Sequence, residues 1–232
     1  MRLRSVVPVV SGQWLFLIAA ASSSPCLAQG RTIDEGAFIV TAKGRPAQTE
    51  SFKIARIDNG LIQATAQLIA GDDRISSALV ADSLGTPVSY LYLDKTHGAT
   101  TLTVRALAGG HRISLTSSDN KSTESMKDFP LLPGGTLILD DGLLHQLYFV
   151  TVTKRAGAIH LIHPRTGRHE EGTLTGKGME PVEIAGRSVT ATHYSLVIGS
   201  RTQEFWVDSE GRVLRVEVPA EGLTAVREEL PR

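Results

Sequence analysis

Hydrophobic and polar residues alternate along most of the chain. Phe52-Lys53-Ile54-Ala55-Arg56-Ile57 sets an apolar side chain at every second place, Asp58-Asn59-Gly60 interrupts, and Leu61 to Ile69 resumes the alternation. A period of two sends successive side chains to opposite faces of a strand. Asn-Gly closes a hairpin because both residues tolerate positive φ. Ile75–Ala81, Val88–Leu93, Thr100–Ala106 and Arg112–Ser117 continue the pattern. Ala158–His163, Val182–Ala185, Val189–Ile198, Thr202–Val207 and Val213–Val218 carry it through the second half. Turn-forming residues separate these runs and no helix follows each one, which predicts a mainly β, antiparallel sheet rather than βαβ units.

The middle of the chain reads differently. Pro130 and Pro133-Gly134-Gly135 predict a hinge, and the polar run Ser117–Lys127 predicts a surface loop. Asp140-Asp141-Gly142 is placed to cap a helix from Leu143 to about Lys154, with Leu144, Leu147, Tyr148 and Thr151 on one face. The β-branched Val150-Thr151-Val152-Thr153 opposes that helix without displacing it. Residues 118–154 therefore separate two β-rich halves, about 34–117 and 155–229, of a single domain covering 29–232.

The halves share a turn. Asp82-Ser83-Leu84-Gly85 lies on Asp208-Ser209-Glu210-Gly211 at a constant offset of 126 residues. Aspartate hydrogen-bonds the loop backbone and glycine takes the positive-φ bulge position, so Asp82, Gly85, Asp208 and Gly211 are expected as turn residues rather than an acid–nucleophile pair. If the turn is of that bulged type, Asp208 pairs with Arg212, Trp206 with Leu214 and Glu204 with Val216. Trp206, Leu214, Val216 and Val218 then share a face, and the offset adds Val80, Val88, Tyr90 and Tyr92. These eight are the expected ligand-facing positions. The opposite face, with Gln203, Arg215 and Glu217, is more polar, so the apolar one must fold over a helix, itself or a ligand.

The N-terminus carries an address. Arg2 and Arg4 precede the apolar Trp14–Ala21, and small residues lead to Cys26-Leu27-Ala28. That order predicts a secretory signal peptide over residues 1–28, cleaved after Ala28, and a periplasmic or secreted protein with no transmembrane anchor. Cys26, the only cysteine, lacks the flanking residues of a lipidation site, and its removal would leave no thiol. Processing would also leave 22 basic residues against 24 acidic ones, which argues against a nucleic-acid partner.

The search for chemistry names no catalytic residue, metal ligand or cofactor. Nucleophile-elbow, zincin, Walker and dinucleotide patterns do not occur. Of the seven histidines, only His160 and His169, with Glu171, are expected to share a face. They read as solvated hairpin residues, and His145 as a helix histidine.

The Phe-rich first hairpin, the central Asp140-Asp141-Gly142-Leu143-Leu144-His145 and the ending Phe205-Trp206-Val207-Asp208 … Gly211-Arg212-Val213-Leu214-Arg215-Val216-Glu217-Val218-Pro219 resemble a bacterial family of uncharacterised envelope proteins. That resemblance implies a half-barrel like the lipoprotein carrier LolA, an incomplete antiparallel barrel with a helix over its mouth. By analogy it implies an apolar, lipid-like ligand, although a shared fold does not carry a function with it. The expected role is non-enzymatic ligand binding. The alternatives are a structural or protein-interaction module of the cell envelope and, third, a hydrolase.

Overall fold

The structure is a computed structural model that describes residues 30–120, 124–132, 135–153 and 156–232. The expected signal peptide with Cys26, Pro133-Gly134 and Lys154 lie outside the described residues. The strands are β1 (Arg31–Ala42), β2 (Arg45–Arg56), β3 (Ile62–Ala70), β4 (Asp73–Ala81), β5 (Pro87–Thr96), β6 (Ala99–Gly109), β7 (Arg112–Asp119) and β8 (Glu124–Pro130). They continue as β9 (Thr136–Ile138), β10 (Gly157–His163), β11 (Arg168–Ile184), β12 (Arg187–Ile198), β13 (Arg201–Val207), β14 (Val213–Val218) and β15 (Leu223–Arg227). All belong to one sheet in the order β8-β7-β6-β5-β4-β3-β2-β1-β15-β14-β13-β12-β11-β10-β9.

Among the described residues only β9 and β10 run parallel. The sheet curls without closing: its edges β8 and β9 are not paired, and side chains bridge the seam instead. Lys127 Nζ donates to the Gly167 carbonyl at 3.3 Å, and Phe129 meets His169 edge to face, 6.3 Å between ring centres.

The offset of 126 residues carries β1–β6 onto β10–β15, element for element. The two turns match in detail. Asp82 N bonds Thr86 O at 2.9 Å and Asp208 N bonds Arg212 O at 3.0 Å. Asp82 Oδ1 accepts from Leu84 N and Thr86 N, as Asp208 Oδ1 does from Glu210 N and Arg212 N. Gly85 and Gly211 adopt φ of 84° and 83°.

Three expectations are corrected. First, each turn is followed by a bulge. Val207 faces Val213 but Trp206 faces Arg215, so Leu214 has no partner. Ala81 faces Pro87 and Val80 faces Ser89, which leaves Val88 unpartnered in the same way. The extra residue moves everything beyond it to the other face, and Val216 lies opposite Phe205 rather than Glu204. Second, within the expected loop 117–127, residues 117–119 belong to β7 and residues 124–127 to β8, paired antiparallel; their polarity reflects an edge strand with charged, solvent-facing side chains. Third, the expected central helix is present, as a 3-10 turn, Leu144–Gln146, followed by α1 (Leu147–Val152), but without the cap expected from Asp140-Asp141. Neither start has a side-chain cap from its own capping residue.

Candidate functional site in the filled concavity

The inner face of the curled sheet is apolar because each strand contributes alternate residues to it. Phe38, Ile54, Leu79, Tyr92, Val104, Ile113, Phe205 and Val216 are all buried there. Residues 136–152 lie within the same cluster: Leu137, Leu139, Leu144, Leu147, Phe149 and Val150 are buried in it. The concavity is filled by the protein's own segment.

Buried polar contacts hold that segment. Glu50 on β2 is fully buried, and its carboxylate accepts from Leu144 N at 2.8 Å and His145 N at 2.9 Å. It supplies the N-terminal cap that Asp140 and Asp141 were expected to give. The same carboxylate meets His145 Nδ1 at 2.7 Å, and His145 Nε2 lies 3.4 Å from Ser77 Oγ on β4. Asp140 instead faces the wall: it accepts from the Tyr90 hydroxyl at 2.6 Å and from Arg165 N at 3.3 Å. Gln146 Oε1 accepts from Asp140 N at 2.6 Å, and the Arg165 guanidinium lies over the Tyr92 ring. At the far end Thr151 Oγ1 donates to Gly211 O at 2.9 Å, and the turn at Gly85 packs on Leu137 and Phe149. Both duplicated turns therefore abut the segment.

Burial sets the electrostatics. It raises the Asp140 carboxyl above the usual range, while the Tyr90 hydrogen bond and Arg165 pull it down. It also raises Tyr90 well above an ordinary phenol, with the Asp140 charge adding to the effect, and pushes Tyr92 up to about 12. These hydroxyls stay protonated and donate.

Glu50, His145 and Ser77 have the connectivity of an acid–base–nucleophile relay. Ser77 and His145 are only 5% and 1% exposed, so no carbonyl reaches the hydroxyl. The arrangement can bear load, fixing the segment to the wall. The sequence offered no local signal for it, because Glu50 and His145 are 95 residues apart.

The eight expected ligand-facing residues divide. Tyr90, Tyr92, Val216 and Val218 are buried on the inner side. The bulges put Val80, Val88, Trp206 and Leu214 on the outer side, where Trp206 and Leu214 pack with Val182, Ile184 and Ala191 from the far part of the β11–β12 hairpin. Glu180 accepts from Trp206 Nε1, and His193 stacks on the indole at 4.4 Å. His160 lies directly across from Glu171, with its ring 6.1 Å from that of His169. No group of three potential ligands able to hold a metal occurs among the described residues. Nor, among them, is any helix long and apolar enough to cross a membrane.

This geometry defines an open β-barrel-like protein with a self-filled interior. A crystal structure of a β-barrel-like protein of a domain family of unknown function (DUF1849) from Brucella abortus matches with a TM-score of 0.55 at 9% identity, over 84% of this chain and 95% of that one. A DUF1089 family protein from Pseudomonas aeruginosa aligns with a TM-score of 0.41 at 15% identity, over 94% of this chain and 98% of that one. No curated protein matches in sequence. Residues 91–229, more than half of the chain, match a domain of unknown function, DUF6134, and the chain belongs to that family.

Proposed function

We propose that the protein is a secreted or periplasmic, non-enzymatic module of the cell envelope that recognises another protein through its outer surface. The observation that carries this reading is the occupied concavity: residues 136–152 complete the core, tied down by Glu50, Tyr90 and Gly211. A second reading, in which an apolar lipid-like ligand occupies the concavity, requires that segment to withdraw. It is favoured by the apolar inner wall around Tyr92, Phe205 and Val216.

N-phenyl-1-naphthylamine fluorescence with the purified protein separates the two. No saturable enhancement is expected of a filled core; saturable uptake, or a lipid mass in native mass spectrometry, would establish the ligand reading instead. Val216→Asp sharpens the comparison, since an unpaired carboxylate at this buried site costs several kcal/mol in a dry core and should abolish folding. The export step is checked separately: the intact mass of periplasmic protein should correspond to a chain starting at Gln29 without acyl groups.

A further inference from the structure

The β11–β12 hairpin outgrows the sheet. β10 pairs with β11 only over residues 168–174, and β13 pairs with β12 only over residues 192–198. Residues 179–191 therefore form a two-stranded ribbon whose ladder partners, among the described residues, are its own two strands. A bulge marks its root. Gly176 faces Tyr194 and Gly178 faces His193, so Lys177 is the extra residue, and Gly178 adopts φ of 115°. The ribbon curls back so that Val182, Ile184 and Ala191 are buried with Trp206 and Leu214, in a cluster separate from the interior core. It can lift without disturbing the filled concavity, as a unit of low local stability.

His193 joins this ribbon to the sheet. Its ring stacks on the Trp206 indole, 4.4 Å between ring centres, and Trp206 lies directly across the ladder from it. Nε2 meets Glu204 Oε2 on β13 at 2.8 Å, and Nδ1 lies 3.3 Å from Glu180 Oε1 on the ribbon. Ser195 Oγ donates to the other Glu204 oxygen at 2.9 Å and steadies that carboxylate. The next charged groups are on β14: Arg215, 5.3 Å from the Trp206 ring, and Glu217, its ion-pair partner. Trp206 Nε1 donates to Glu180 as well, a second hold on the ribbon that carries no charge. A neutral imidazole has one N–H and an imidazolium two. With its single N–H committed to Glu204, the neutral ring turns a bare lone pair toward Glu180. Imidazolium alone can donate to both carboxylates.

We propose that His193 is a pH-dependent latch for this ribbon: as imidazolium it ties Glu180 down over Trp206 and Leu214, and on losing its proton it lets the ribbon open more often. By linkage, a proton that stabilises the closed form contributes at low pH. That contribution is lost as histidine titrates, between about pH 5 and 8. The latch lies on the outer surface that the recognition reading draws on, but it does not depend on that reading.

The test is amide hydrogen exchange followed by mass spectrometry at about pH 5.5 and about pH 8, with each rate corrected for the intrinsic effect of pH and referred to the β2–β3 hairpin. Opening of residues 179–191 should be about twofold to fivefold more frequent at the higher pH, as for one half-exposed ion pair. His193→Gln cannot take a charge and should open equally at both. Glu180→Gln keeps an oxygen for Trp206 Nε1 while losing the carboxylate charge, and at 48% exposure its side chain tolerates the change. It too should open equally at both. Wild-type opening that is unchanged with pH, or more frequent at the lower pH, would overturn the proposal. So would a pH response retained in either variant, or an equal response in the β2–β3 hairpin, which would mark a change in global stability instead.

Discussion

Gly85 and Gly211 occupy equivalent places in equivalent turns, yet alanine should be far more damaging at the first. Both have φ near +84°, 84° and 83° respectively, so a side chain at either pays for the left-handed backbone, about 1–2 kcal/mol. The surroundings differ. A Cβ at Gly211 would meet Thr151 Oγ1 at 3.5 Å, an ordinary contact. A Cβ at Gly85 would lie 2.9 Å from Leu137 Cδ2 and 3.3 Å from the Phe149 carbonyl oxygen, both part of the buried segment. Overpacking of a tight core adds about 1–3 kcal/mol, giving about 2–5 kcal/mol in all for Gly85→Ala against about 1–2 kcal/mol for Gly211→Ala. Urea unfolding followed by circular dichroism measures both. For a domain of this size each kcal/mol lowers the melting midpoint by about 2–4 °C. Equal losses, or a larger one at Gly211, would refute the close packing of the first turn on residues 137–149.

Glu50→Ala should cost about 3 kcal/mol or more in the same assay, since it leaves two buried helix N–H groups and His145 without their acceptor; a cost under 1 kcal/mol would detach Glu50 from any capping role. Asp140 is raised by burial in the folded state. A carboxyl so raised adds stability below its unfolded value, and that contribution is lost as pH rises through the folded one. Wild type should therefore lose stability relative to Asp140→Asn as pH climbs from about 4, and a pH-independent difference would contradict this. Tyr90→Phe, removing the hydrogen bond that lowers Asp140, should shift its titration further upward in carbonyl-detected NMR. Trp206, 7% exposed under His193, should emit in the blue and resist acrylamide in a Trp14→Phe background; red, freely quenched emission would put the outer cluster in solvent.

Local pattern was enough for most of the strands, though not for β1, β8, β9 or β15, and for the antiparallel class and the paired turns, because alternation, Asn-Gly and Asp-Ser-x-Gly act within a few residues of themselves. It misled where one residue changed the count. The bulges at Val88 and Leu214 reverse the face of everything beyond them, which is why Trp206 and Val216 separate although strict alternation joined them. Asp140-Asp141 read as a helix cap because acids favour that place locally, but burial beside Tyr90 and Arg165 made Asp140 a wall contact and left the cap to Glu50, far away in the chain. That the concavity would be filled, and that β15 would end short of the start of β1, depends on which distant strands become neighbours. Alternation along the chain decides which side chains can share a face; only the curl of the whole sheet decides what that face encloses.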